Sequence, residues 1–476
     1  MVNNKLINFF VIFSFIGLWS SIGSDPYNFL FIFEKKNNFD LNISNINLKE
    51  LINFLRAAFP LFCLLSSLLI ILKYKLFKNQ KKFIYILLIV QIIQIVSTFF
   101  SKGTIVSNYE DSIDHIGRYH WIISSIALIF IFMISAKLNN FQMRTLFYVS
   151  IFFLALMIVW FSAVFLIDFY RLNSTTSIYH LDISRESAYF LNHEMPRMTG
   201  LSRSIVFLYI IIFYITQNLD KFYTFFKYLL LSILGALIFL FQSKFAVITF
   251  LIANLFFIFN FKKKIEGAII ISFLIIIQIT LFYSISNSRI IYNNINSKDI
   301  VVNDQKDNVF NEQKDIEKSE SSKKHKHIRD FTDSSKTGLE LFNHMIFSGR
   351  LSLWIKSFNY IYQRPFIGYG SMSDRIILNK KQLKYNRMIN PISNAFLYAF
   401  ISGGVFSLIF FIYFWINIRM TIFNIFKFHM TESNENKITT LLVLIILLRC
   451  LVENSIMLFG VDSLFLLNCM YLRTNK

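Results

Sequence analysis

Charged side chains at membrane depth are costly and mark functional sites by default, and this chain sets several inside or beside strongly apolar runs. Arg449 and Glu453 lie in the run Leu441–Ile456, Lys244 occupies a very short turn between two runs, and Arg56 falls inside an early one. Arg197 and Arg203 flank Met198-Thr199-Gly200-Leu201-Ser202 just ahead of another run. Arg350, Arg364, Arg375 and Arg387 sit in the later part of the one long hydrophilic stretch. A guanidinium offers a planar fork to phosphate or carboxylate oxygens, which is the usual reason to collect arginine where an anion is handled. Plainer explanations stand beside this one. A basic face can be solvated or touch anionic headgroups, Arg449 and Glu453 are four residues apart and on one helix face would pair with each other, and Arg56 near the end of its run can snorkel.

The elements that would position these cations are membrane-spanning helices. Soluble domains are about 45–50% apolar and about 25% charged, whereas this chain is 55% hydrophobic and 16% charged. The excess is concentrated in runs such as Phe83–Phe100, Thr145–Asp168, Gly267–Ser286 and Asn394–Ile418, each near the length that crosses a hydrocarbon core of about 30 Å. The predicted spans are 6–23, 52–72, 83–101, 119–136, 145–168, 204–216, 222–241, 245–260, 267–286, 394–418, 438–454 and 457–472. The expected fold is therefore all-α, a polytopic integral membrane protein of about 12 transmembrane helices.

The net charge of +20 does not point to nucleic acid. Its lysines and arginines cluster in short connections, as in Lys73-Tyr74-Lys75 and Lys262-Lys263-Lys264, where cytoplasmic loops carry them. Putting the N-terminus in the cytoplasm places the lysine-rich loops inside and leaves 24–51, 102–118 and 169–203 outside. Both termini are then cytoplasmic. The first run, Leu6–Ile22, lacks a small-residue cleavage site and reads as a retained span. Cys63, Cys450 and Cys469 fall in apolar runs without metal-ligand spacing and read as buried thiols.

The chain divides into an N-terminal membrane region (1–286, about nine spans), a long outer loop (287–393) before the tenth span, and a C-terminal membrane region (394–476, about three spans). Within the loop, 297–338 is low-complexity and reads as a disordered insertion. Residues 340–393 form the ordered part. There Leu351, Trp354, Ile355, Phe358, Ile361 and Tyr362 recur at helical spacing, the helix should end before Pro365, and Pro365-Phe366-Ile367-Gly368-Tyr369-Gly370 reads as a glycine-hinged turn.

Ser348-Gly349-Arg350-Leu351-Ser352-Leu353-Trp354, Arg364-Pro365-Phe366-Ile367-Gly368-Tyr369-Gly370, Ser393-Asn394-Ala395-Phe396-Leu397 and Gly403-Gly404 follow one another in order. This set resembles the signature of the O-antigen polymerase/ligase superfamily. Weaker likenesses are Arg197–Ser202 before a mid-chain span, Gln242-Ser243-Lys244 after one, and the tail from Arg449 and Glu453 to Phe459-Gly460-Val461-Asp462. Each short motif alone is weak; the ordered set is more specific.

The resemblance implies a GT-C-like, metal-independent glycosyltransferase of the bacterial inner membrane that needs no cofactor. It implies a donor glycan linked to undecaprenyl diphosphate, contact with membrane lipids, and a chain-length regulator and a flippase as partners. On this basis Arg350, Asn394, Arg449 and Glu453 are candidate catalytic residues. Arg197, Arg203, Lys244, Arg364, Gly368 and Gly370 are candidates for binding the diphosphate or glycan. Two departures stand out: Ser393 occupies the place of the ligases' histidine, and Lys244 replaces an arginine. The first favours polymerisation of repeat units over ligation to lipid A-core, and leaves the general base to a group such as His344 or Glu194. A polysaccharide flippase or other transporter is the reading from another class. Such proteins commonly carry internal repeats, and this sequence has none that we find.

Overall fold

The computed structural model describes residues 4–22, 48–78, 80–101, 112–135, 140–171, 189–190, 193–194, 198–218, 221–241, 243–261, 263–307, 350–378, 392–426, 433–457 and 459–474. The order is α1 (Asn4–Ser21), α2 (Leu48–Lys73), α3 (Lys82–Phe100), α4 (Ser112–Ser135), α5 (Asn140–Arg171), α6 (Met198–Ile215), α7 (Lys221–Leu240), α8 (Lys244–Asn260), α9 (Lys264–Asp307), α10 (Arg350–Gln363), α11 (Ser373–Leu378), α12 (Ala395–Phe426), α13 (Asn434–Arg449) and α14 (Val461–Thr474). Apart from a two-residue antiparallel ladder, Tyr189–Phe190 with His193–Glu194, the described chain is helical.

Seven helices are long and apolar enough to cross a membrane, the spans being Phe54–Lys73, Lys82–Phe100, Arg118–Ser135, Met143–Leu166, Tyr223–Leu240, Lys264–Ile285 and Ala395–Arg419. Lys5–Ser21, Gly200–Ile215, Lys244–Phe259 and Val461–Leu472 are apolar but shorter. The outer faces carry large apolar side chains, among them Leu69, Phe152 and Phe273 at 69%, 63% and 64% exposure. In water these would be an aggregation hazard, and against lipid tails they cost nothing. The result is a polytopic membrane protein.

Three sequence expectations change. The run 438–454 stops being helical at Arg449, where a turn and a 3₁₀ segment (Ser455–Met457) lead to α14. Helix α9 continues past residue 297 to Asp307, into the stretch read as a disordered insertion; residues 308–338 of that stretch lie outside the described residues. Arg56 does not snorkel. It is 5% exposed, and its Nε donates to the Ser20 carbonyl at 2.7 Å, closing the open C-terminal end of α1.

Where the bundle needs polar groups inside, they are paired across helices. The Tyr209 hydroxyl of α6 donates to Asn254 Oδ1 of α8 at 2.9 Å, and Gln278 Nε2 of α9 donates to the Leu231 carbonyl of α7 at 3.1 Å. Such bonds fix helix neighbours where apolar packing alone is indifferent to register. Cys63, Cys450 and Cys469 are buried thiols.

The segment 364–373 docks into a break in α12. Gly403 (φ −139°, ψ 15°) and Gly404 (φ 67°, ψ −163°) interrupt that helix, and Gly404 adopts a conformation essentially restricted to glycine. A regular helix would have Val405 N–H bond to the Ile401 carbonyl. Here the loop replaces those bonds. Tyr369 N–H donates to Ile401 O at 2.7 Å, Gly370 N–H to Ser402 O at 2.8 Å, and Val405 N–H to Pro365 O at 2.7 Å. A broken helix is tolerated at membrane depth only when its freed backbone groups are satisfied in this way.

Candidate functional site

The start of α6, the start of α10, the start of α12, the end of α13 and the start of α14 are joined at one end of the bundle by direct contacts. That end gathers the charged residues. Arg203 is in the second turn of α6, Arg350 is the first residue of α10, and Glu453 is in the turn after α13. Arg203 Nη1 lies 2.7 Å from Glu453 Oε2, and Arg350 Nη2 lies 3.1 Å from Glu453 Oε1. Arg350 Nη1 also donates to the Val452 carbonyl at 2.9 Å. One carboxylate is thus divided between guanidiniums from two separate elements.

Exposure is uneven. The side chains of Arg203 and Glu453 are 12% and 11% exposed, whereas that of Arg350 is 27% exposed, so the pair opens to its surroundings on the Arg350 side. Burial opposes ionisation of Glu453, but Arg203, Arg350 and Arg449 together outweigh it and hold its carboxyl below the ordinary glutamate range. Glu453 is therefore an anion in this arrangement and a poor proton acceptor.

Arg449 does not pair with Glu453. Helix α13 ends at Arg449, and although the Glu453 amide donates to the Arg449 carbonyl at 2.7 Å, the two side chains take different partners. Arg449 Nη1 instead donates to Asp462 Oδ1 of α14 at 2.6 Å, with its guanidinium 5.3 Å from the centre of the Phe207 ring. Both partners are buried, 5% and 4% exposed.

Asn394 connects this cluster to the docked loop. Its Oδ1 accepts the Leu397 amide at 2.9 Å, capping the start of α12, and its Nδ2 donates to the Leu451 carbonyl at 2.9 Å. Ala395 N–H donates to the Cys450 carbonyl, also at 2.9 Å. The turn that bears Glu453 is therefore tied to the first turn of α12. Ahead of Asn394, Ile392 is held from both sides: its carbonyl accepts Trp354 Nε1 of α10 at 2.8 Å, and its amide donates to Asp374 Oδ2 of α11 at 2.9 Å.

The remaining candidates take other places. Lys244 is the exposed first residue of α8, whose start Ser243 caps by accepting the Ala246 amide. Arg364 lies over the Tyr369 ring, 5.3 Å from its centre. Gly368 (φ 70°) and Gly370 (φ 88°) face protein backbone and side chains: a Cβ on Gly368 would stand 2.6 Å from Gly404 N, and one on Gly370 would stand 2.4 Å from Thr98 Oγ1. Arg197, His344 and Arg387 lie outside the described residues, and of Glu194 and Arg375 only the backbone is described.

Sequence reasoning passed over Arg118, which is 2% exposed at the start of the apolar span within α4. Its Nε donates to the Ser371 carbonyl at 2.7 Å and its Nη2 to Ser101 Oγ at 3.1 Å and to the Tyr369 carbonyl. Thr98 Oγ1 accepts the Ser371 amide at 3.1 Å, and Ser97 Oγ donates to the Ile367 carbonyl. The glycine turn is thus clamped between α3, α4 and α12. In the sequence Arg118 stands between Gly117 and Tyr119, just ahead of the predicted span 119–136. Its value lies in carbonyls about 250 residues away, which no local pattern announces.

Among the described residues no group of His, Cys, Asp or Glu is arranged to hold a metal. What the cluster can do chemically is receive an anion with forked donors and hold a carboxylate beside it.

The fold and this cluster define a multi-spanning membrane protein with two arginines gathered on one carboxylate at one end of its bundle. Residues 228–412 match the family model described as O-antigen ligase, and the resemblance to the O-antigen polymerase/ligase superfamily holds over that segment. The matched segment contains Lys244, Arg350, Arg364, Gly368, Gly370 and Asn394, while Arg203, Arg449 and Glu453 lie beyond it. No curated protein and no solved structure matches the chain.

Proposed function

We propose that the protein polymerises oligosaccharide repeat units carried on undecaprenyl diphosphate, at the periplasmic face of the bacterial inner membrane. The observation that carries this reading is the convergence of Arg203 and Arg350 on one carboxylate at the end of the bundle where the motif-bearing loop docks. Glycosyl transfer from a lipid diphosphate needs no redox group. It needs stabilisation of the charge that develops as the diphosphate departs, and preorganised guanidiniums supply that. A lipid-anchored donor also calls for a site at the membrane boundary, and the place of Arg203 near the head of an apolar helix supports that. The lysine-rich connections at the opposite end of the bundle support cytoplasmic termini.

Ligation of glycan to lipid A-core is the second reading, favoured by the description of the matching family model. Ser393 weighs against it, because a serine hydroxyl does not replace imidazole as a proton acceptor near neutral pH. The test is complementation of a deletion strain with Arg350→Ala and Arg350→Lys, reading polysaccharide ladders and protein abundance together. We expect Ala to abolish the ladder and Lys to restore it in part, since a point charge cannot reproduce a bidentate fork. A full ladder from Arg350→Ala at normal abundance overturns the reading.

A further inference from the structure

We propose that Glu453 is an exchangeable occupant of the anion site, and that once a donor diphosphate displaces it, it becomes the base that takes the proton of the acceptor hydroxyl. The inference rests on the reading above and goes beyond it by naming the base and the order of events.

The geometry supplies the first part. A carboxylate whose two oxygens are met at 2.7 Å and 3.1 Å by guanidiniums from α6 and α10 presents much what a pair of phosphate oxygens would present to the same two forks. The resting protein thereby keeps Arg203 and Arg350 apart and aimed without a ligand, which spares the incoming diphosphate the cost of ordering them. Exchange is sterically open because Arg350 is the more exposed partner. Glu453 lies in the turn after α13, and rotation of its side chain leaves that turn's backbone bonds, Glu453 N–H to the Arg449 carbonyl among them, intact. Its neighbour adds an independent observation. Asn454 is 5% exposed, and its side-chain Nδ2 is buried with no hydrogen-bond partner among the described residues. A buried donor in that position calls for an acceptor, and an oxygen of the bound diphosphate or of the acceptor sugar would provide one.

The electrostatics supply the second part. While the arginines face Glu453, their field keeps it ionised but too weakly basic to remove a hydroxyl proton efficiently. A diphosphate between the same arginines neutralises that field and adds negative charge nearby, and both changes make the carboxylate more basic. Arg449 remains engaged with Asp462 at 2.6 Å, behind the exchange. The base thus becomes competent only after the donor has arrived. In the step itself the acceptor hydroxyl oxygen attacks the donor's anomeric carbon. A new carbon–oxygen bond forms as the bond from that carbon to the diphosphate oxygen breaks. The hydroxyl proton passes to Glu453, and the lipid diphosphate leaves with the bonding pair, its charge held by Arg203 and Arg350.

The test uses the full-length chain in lipid nanodiscs, titrated with inorganic pyrophosphate, alongside polymer production in cells. An internal competitor and a structural brace predict opposite signs for Glu453→Gln. We expect wild type to bind pyrophosphate, Arg350→Ala to bind at least about tenfold more weakly, and Glu453→Gln to bind about tenfold more tightly. Glu453→Gln should nonetheless make no polymer at normal abundance. Should Glu453→Gln fail to accumulate, Glu453→Asp carries the test, with pyrophosphate bound at least as tightly as by wild type and polymer production reduced. Unchanged or weaker binding by Glu453→Gln overturns the exchange, and a normal ladder from it overturns the role as base. Absence of pyrophosphate binding in wild type instead overturns the anion site on which the inference rests.

Discussion

Arg449 and Asp462 form a buried ion pair of 2.6 Å that joins the end of α13 to the first turn of α14. Removing one partner strands the other charge in a low-dielectric interior, at a cost of about 3–5 kcal/mol, whereas replacing both with apolar residues is often nearly neutral. Arg449→Ala should therefore lower the protein's abundance and its melting temperature in detergent, and Arg449→Leu with Asp462→Leu should recover most of both. A purely catalytic Arg449 would instead give a stable, inactive single variant.

Gly404 is the second test of the scaffold. A Cβ there would stand 2.1 Å from the Phe366 carbonyl oxygen, in a backbone conformation that side chains avoid. Gly404→Ala should cost about 1–3 kcal/mol in strain alone and push the glycine turn out of the break in α12. Limited proteolysis of the full chain should then cut faster within 364–373 than in wild type. Equal rates would show that the turn does not depend on Gly404.

Several features of this site were legible in the residues themselves, and the reasons for the failures are specific. Arg203 and Glu453 stood out because charge beside apolar runs is expensive, Arg350 because its motif carries a forked anion-binding group, and the structure brings those three together. The partner of Arg449 could not be read from its four-residue spacing to Glu453, because the turn after α13 brings the first turn of α14, with Asp462, against it. The role of the two glycine motifs was hidden for a different reason. Gly368 in the predicted turn and Gly404 in a separate motif each let the other's backbone approach, whereas Gly370 lies against Thr98 and Gly403 against Ile93. Such mutual need between segments more than 30 residues apart leaves no local period to read.

Arg118 should behave as a positioning residue. It hydrogen-bonds carbonyls of the glycine turn and is almost completely buried, so it acts on the site only through that turn and the adjoining α10. Arg118→Ala and Arg118→Lys should both reduce polymer yield. Combined with the partly active Arg350→Lys, Arg118→Lys should add less than its single effect, because both changes displace one donor group. Fully multiplicative losses would assign Arg118 to general stability.

Acid should unlock the cluster only at low pH. The Glu453 carboxyl is held below its ordinary range, so the stability it contributes is fully present above the unfolded glutamate value of about 4.3 and is lost as pH falls through the lower folded value. Melting temperature should thus be insensitive to this group from about pH 5 upward. Below that, wild type should lose stability more steeply than Glu453→Gln. Identical acid profiles would mean that Glu453 is not held as an anion.

The central claim is tested most directly by giving the purified full-length chain, in proteoliposomes, the lipid-diphosphate-linked oligosaccharide extracted from its own host. Polymerisation predicts a ladder of lipid-linked oligomers with stoichiometric release of lipid diphosphate, and no ladder from Arg350→Ala. Unextended oligosaccharide in every lane, or glycan moved only onto added lipid A-core, would contradict it.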